Sequence, residues 1–255
     1  MVVVNDALVL YLHYEYHSRK HAPPHRFSDL SETDQADFTG PFEIFSRIPD
    51  STYHIIGRET KPIRDVRGLI LVPEKTFSEV PPLDLLHIPG GAGQEMLMDD
   101  EVTLSFVREQ AVAARYIFAV CTGALVLGAA GLLKGRKVTT HWAAFDLLKY
   151  FGGVPVNERV VIDGNLVTTA GVTAGIDGAL RVAALLRGDQ TAQEIQLGIQ
   201  YAPEPPFNSG TPESAPPDIL AAVRTRLQPL SDARLATARR IGARLGIAEP
   251  GWVKY

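Results

Sequence analysis

One cysteine in 255 residues excludes an intrachain disulfide framework and a cysteine-rich metal site, and makes a reducing cytoplasm the expected compartment. There is no run of lysine or arginine, and a formal net charge of −4 gives a polyanion nothing to bind, so nucleic acid is not an expected partner. No apolar stretch reaches the ~18 residues of a membrane span, and the N-terminus lacks a basic region followed by an apolar core. No membrane partner is expected. What the chain does have, 45% hydrophobic and 21% charged residues, suffices to bury one large core.

The single cysteine sits where it can work. Tyr116 to Val120 is a short β-prone run that ends at Cys121, and small and aliphatic residues that suit a helix follow directly after Thr122-Gly123. A strand, a tight turn and a helix place the thiol at the turn, where Gly123 relieves crowding and free N–H groups of the helix start face the sulfur. The thiol is expected to be more acidic than a free one. This is the nucleophile-elbow arrangement with sulfur in place of a serine oxygen; the alternative is a small buried apolar residue.

Two loops offer partners. Pro41 suits the first turn of a helix through Phe42-Glu-Ile-Phe45, which leaves Asp37 in the loop before it, where it reads locally as a helix cap or a favourable charge near the helix dipole. Leu83 to Ile88 reads as a strand running into Pro89-Gly90-Gly91-Ala92-Gly93. Glycines there let backbone N–H groups turn inward as an anion nest, or they make a plain turn; the spacing fits no nucleotide fingerprint.

Elsewhere, Tyr53–Ile56 and Leu69–Val72 read as further strands of a parallel sheet, and Lys137 to Trp142 as a strand running into a loop, with His141 at the strand's end. His141 is either a site residue or structural. Arg159–Ile162 and Asn165–Thr168 form a hairpin about an Asp163-Gly164 turn. Asp177 falls in the first turn of a buried helix, where the helix dipole accounts for it. Pro216 to about Leu245 reads as a long helix interrupted near Pro229, with Arg234, Arg239, Arg240 and Arg244 on a solvated face. His13, His17, His21 and His25 recur every four residues, but Pro23-Pro24 argues against the continuous helix that would align them as metal ligands.

Ala36-Asp37-Phe-Thr-Gly-Pro41, His87-Ile-Pro-Gly-Gly91, Val120-Cys-Thr-Gly-Ala124, Thr139-Thr-His-Trp142, Thr173-Ala-Gly-Ile-Asp177 and Gln200-Tyr-Ala-Pro-Glu-Pro-Pro-Phe-Asn208 together resemble the ThiJ/PfpI group of the class I glutamine amidotransferase-like superfamily, and within it the isonitrile-hydrating branch. The resemblance covers roughly residues 36–246. It sets apart residues 1–35, a divergent first strand and polar insertion, and a tail over residues 247–255. It implies a flavodoxin-like three-layer α/β sandwich around a mostly parallel sheet, usually homodimeric, acting on a small molecule without cofactor or metal. Cys121 would be the nucleophile, Asp37 the acid facing it and Thr122 a required neighbour. Gly91 and Thr122 would donate to an oxyanion-type pocket completed by Gly90, Gly123 and His141. The implied reaction converts isonitriles to N-substituted formamides. A glyoxalase-like or deglycase activity and a non-catalytic ligand-sensing module are the rivals, while Thr122, where the group's proteases carry histidine, argues against peptidase work.

Overall fold

In the computed structural model, which describes residues 6–10 as backbone and residues 33–65 and 67–250 in full, the apolar runs become strands. In chain order these are β1 (Asp6–Leu10), β2 (Thr52–Gly57), β3 (Ile63–Arg64), β4 (Ile70–Leu71), β5 (Lys75–Thr76), β6 (Leu85–Ile88), β7 (Tyr116–Val120), β8 (Lys137–Val138), β9 (Val154–Pro155), β10 (Val160–Asp163) and β11 (Leu166–Thr169). The helices are α1 (Gln35–Phe45), α2 (Gln94–Leu97), α3 (Glu101–Ala113), α4 (Gly123–Ala129), α5 (Ala174–Arg187), α6 (Asp189–Gly198) and α7 (Pro217–Arg244), with 3-10 helices at Phe77–Glu79 and Trp142–Phe151.

Seven strands form one sheet in the order β10-β11-β7-β6-β1-β2-β5. Every pairing in it is parallel except β10 with β11. Counting β1, β2, β6, β7 and β11 as first to fifth, the sheet reads 2-1-3-4-5, the flavodoxin-like doubly wound order. Strand alternation builds the two cores. Ile117 and Ala119 point to a layer with Leu104, Val107, Leu125, Phe151 and Ile241, whereas Phe118 and Val120 point to one with Phe38, Phe45, Ala179, Val182 and Ile195. Helices α3, α4 and α7 thus cover one face and α1, α5 and α6 the other. Among the described residues no helix is long and apolar enough to cross a membrane.

Several expectations are corrected. Residues 69–72 contribute only β4, paired antiparallel with β3 outside the central sheet; Leu69, Ile70 and Val72 are all exposed and Leu71 alone packs against the core, too little apolar surface to place the run in the central sheet. The strand at Lys137 is short, ending at Val138 before the expected loop, so His141 does not sit at the strand's end but caps the 3-10 helix, with Nδ1 accepting from Ala143 N at 3.2 Å. The hairpin turns at Gly164-Asn165, since Asp163 pairs with Leu166; Asp163 is kept in the strand by accepting from Lys137 N at 2.8 Å. α7 runs unbroken through Pro229, whose ring is exposed, so the helix loses one backbone bond locally while packing of Thr237, Ala238 and Ile241 holds it in register. The four histidines at positions 13–25 lie outside the described residues.

Candidate active site

The sheet order reverses between β1 and β6, and a crevice at the carboxyl ends of the strands is where such folds bind ligands. Three segments meet there: the turn after β7, the loop after β6 and the first turn of α1.

Cys121 follows β7 with φ at +54°, a strained conformation for a residue with a side chain. Its N–H reaches Ala170 O at 3.0 Å, and its carbonyl accepts from Thr140 Oγ1 at 2.6 Å. Those bonds hold the elbow. Gly123 begins α4 so close to the Ile88 carbonyl that a Cβ there has no room.

Helix α1 starts earlier than Pro41. Asp34 caps it by accepting from Ala36 N at 3.1 Å, and Asp34 N donates to Gly90 O at 3.0 Å, which ties the cap to the glycine loop. Asp37 is therefore inside the first turn and is not the cap. Its side chain is fully buried, with Oδ2 accepting the Gly90 N–H at 2.9 Å and Oδ1 without a hydrogen-bond partner. Pro41 lies within the helix, and its missing N–H leaves the Asp37 carbonyl unpaired by the helix ladder. The buried His87 ring feels that carbonyl, although neither ring nitrogen completes a hydrogen bond and burial holds its pKa down at about 3.

Gly90 joins the parts. A Cβ on it would collide with Asp37 Oδ2 and lie 2.7 Å from Thr122 N and 2.8 Å from Cys121 Cβ. Carboxyl, sulfur-bearing side chain and Thr122 amide thus crowd one point. Gly91, at φ +135°, donates its N–H to Thr122 Oγ1 at 3.1 Å, and that hydroxyl donates back to Gly91 O at 3.0 Å. The Gly91 N–H is therefore taken by a side chain, and the N–H groups that reach the sulfur are those of Thr122 and Val172. Val172, not foreseen from the sequence, reaches it from the loop after β11.

Electrostatics move Asp37 and Cys121 away from their ordinary behaviour. Burial, with a smaller push from Asp34, raises Asp37 to about 8 against the opposing hydrogen bonds of Cys121 and Gly90. The carboxyl is neutral at pH 7. Burial also pushes the Cys121 thiol up, and a charged Asp37 adds to this; the N–H groups of Thr122 and Val172 and the Arg234 cation pull the other way. The acidic thiol expected from a helix start alone is thus overturned by desolvation. Burial and the Arg234 charge lower His141 to about 4, so this ring is neutral and, with Nδ1 accepting, carries its proton on Nε2.

The largest departure is Arg234. Expected on a solvated face, it is 6% exposed and donates from Nη2 to Gly91 O at 2.6 Å, with Thr122 Oγ1 at 3.5 Å. Asp177 is engaged elsewhere, with Arg159 Nε and with Tyr201 Oη, which donates at 2.6 Å. Among the described residues no cluster of three histidine, cysteine or carboxylate side chains is placed to hold a metal.

The chain is similar to several known proteins. The model of the DJ-1/PfpI family matches residues 28–185. An isonitrile hydratase from Pseudomonas putida is 48% identical over 216 residues, 85% of this chain and 95% of that protein. A glutathione-independent glyoxalase from Caenorhabditis elegans is 28% identical over 141 residues, 54% of this chain and 75% of that one. Among solved structures, a ThiJ/PfpI family protein from Pseudomonas syringae superimposes with a TM-score of 0.82 at 35% identity, covering 92% of both chains.

Proposed function

The chain belongs to the DJ-1/PfpI family, and within it we propose that it hydrates isonitriles to N-substituted formamides, with Cys121 as nucleophile and Asp37 as the acid that moves the proton. The observation that carries this reading is the pairing of the only thiol with a buried carboxyl that keeps its proton up to about pH 8. The 48% identity to an isonitrile hydratase over 95% of its length supports the choice of substrate.

The chemistry needs no cofactor. As the sulfur attacks the terminal carbon of the isonitrile, neutral Asp37 gives that carbon a proton and takes up the thiol proton, leaving a thioimidate on Cys121. Water then adds across the C=N bond, its oxygen joining carbon and its proton reaching nitrogen. Collapse of the adduct breaks the C–S bond, the hydroxyl proton returns to sulfur by way of Asp37, and the formamide leaves. One isonitrile and one water make one formamide. Thiolate character at the sulfur is favoured by the Thr122 and Val172 N–H groups.

The partner is a small molecule. A homodimeric assembly belongs to the same reading, and the exposed Leu197 and Phe207 supply apolar surface for it; the mass in solution tests this. Activity is tested by giving the purified protein an alkyl isonitrile, methylglyoxal and a peptide in parallel. Formamide from the isonitrile with the other two untouched is the expected result, and turnover of methylglyoxal alone would overturn it.

A further inference from the structure

A guanidinium is costly to bury unless something holds it. Arg234 is held, among the described residues, by a carbonyl and a hydroxyl, and its Nε has no partner at all. Both acceptors belong to the site, being Gly91 O and Thr122 Oγ1.

How the side chain gets there is visible along α7. Arg234, Thr237 and Arg240 recur every three residues and so share a helix face. Thr237 Oγ1 donates to Glu95 Oε1 at 2.6 Å, and Arg240 Nη1 donates to Asp99 Oδ1 at 2.6 Å. Gly91, Glu95 and Asp99 recur every four residues along the loop and α2. The two outer contacts dock α7 against that segment, and Arg234 is the end of the ladder that enters the site. The match to the family model ends at residue 185, before α7 begins.

We propose that Arg234 is a positioning residue for the Cys121 reaction, a role that rests on the reading above: it fixes the Gly91 carbonyl and the Thr122 hydroxyl and sets a permanent positive charge beside the sulfur. The charge acts at the two moments when sulfur carries electron excess, attack on the isonitrile carbon and departure from the adduct. Arg234 and an ionised Cys121 each favour the charged form of the other. Of the other charged or titratable groups, Asp37 from α1 acts on Cys121, Glu95 from α2 acts on Arg234, and His141 before the 3-10 helix feels Arg234, while Asp34 acts on Asp37 and His141.

Because Cys121 is the only cysteine, alkylation by iodoacetamide reports on it alone and needs no isonitrile, so the result stands apart from the substrate assignment. The rate is followed by intact mass across pH 6 to 10 for the wild type, Arg234→Met, Arg234→Gln and Arg234→Lys. The two neutral variants should react at least about tenfold more slowly across that range, and Arg234→Lys should stay near the wild type, a rescue by charge that a merely structural role would not give. If Arg234→Met does not fold, Arg234→Gln against Arg234→Lys decides, since both are shorter than arginine and keep a donor but only lysine keeps the charge. A neutral variant that alkylates as fast as the wild type or faster across that range, or an Arg234→Lys variant as slow as the neutral ones, would overturn the proposal.

Discussion

Asp37 Oδ2 accepts the Gly90 N–H at 2.9 Å, a bond between residues 53 apart that fastens the first turn of α1 to the loop after β6. It turns an aspartate that reads locally as a cap into a buried acid beside Cys121. Because burial raises this carboxyl from 3.8 to about 8, the folded chain keeps a proton that the unfolded chain releases between those values. The contribution to stability is therefore fully present below about pH 4 and is lost as pH rises towards 8, by up to ~1.4 kcal/mol per pH unit. Asp37→Asn should remove that slope, so that the variant melts above the wild type at pH 8 and closer to it at pH 5, while turnover falls by about 100-fold or more. Melting curves at the two pH values check this, and a wild-type slope in the variant would place the proton elsewhere. Wild-type kcat/KM should fall as pH passes about 8.

Gly90 has no room for a methyl group. Gly90→Ala would press on Asp37 Oδ2, the Thr122 amide and Cys121 together, so a loss of about 1–3 kcal/mol of stability is expected, with turnover reduced far beyond what that loss explains. Denaturant melts and initial rates on the same preparation separate the two; near-normal rates would show that the site tolerates a wider spacing.

Thr122 Oγ1 is acceptor and donor to Gly91 at once. Thr122→Val keeps the shape and strands the Gly91 N–H, at a cost of about 1–3 kcal/mol, and should lower kcat by about tenfold or more. Thr122→Ser should restore most of it. Equal loss in both variants would trace the effect to the missing methyl.

Asp177 serves as a control. Its carboxylate is occupied by Arg159 and Tyr201 at a partly exposed position, so Asp177→Asn should change kcat/KM by less than about threefold and stability by no more than about 1 kcal/mol. A drop comparable with that of Asp37→Asn would make it a member of the catalytic group.

What could be read from the sequence was what is local. The elbow at Cys121 is legible because strand, turn and helix are adjacent in the chain, and the Gly90-Gly91 loop because it follows an apolar strand directly. The role of Asp37 depends on the distant bond to Gly90, so only the family resemblance pointed to it. Arg234 escaped both routes: arginine and threonine three apart on a helix look like a solvated face until their partners, Glu95 and Asp99, are brought over by the fold. The hairpin turn was misplaced by one residue because Asp163-Gly164 is a strong local signal, while Lys137 N, far along the chain, holds Asp163 in the strand.

The central claim is that the Cys121 thiol, working with Asp37, adds water to an isonitrile. Its most direct test is the amount of N-substituted formamide formed from cyclohexyl isonitrile by wild type and by Cys121→Ser, matched by circular dichroism to show the same fold. One formamide per isonitrile consumed is expected from the wild type and no turnover above background from the variant, since a hydroxyl is a far weaker nucleophile without a strong base. Formamide produced at an undiminished rate by folded Cys121→Ser would contradict it.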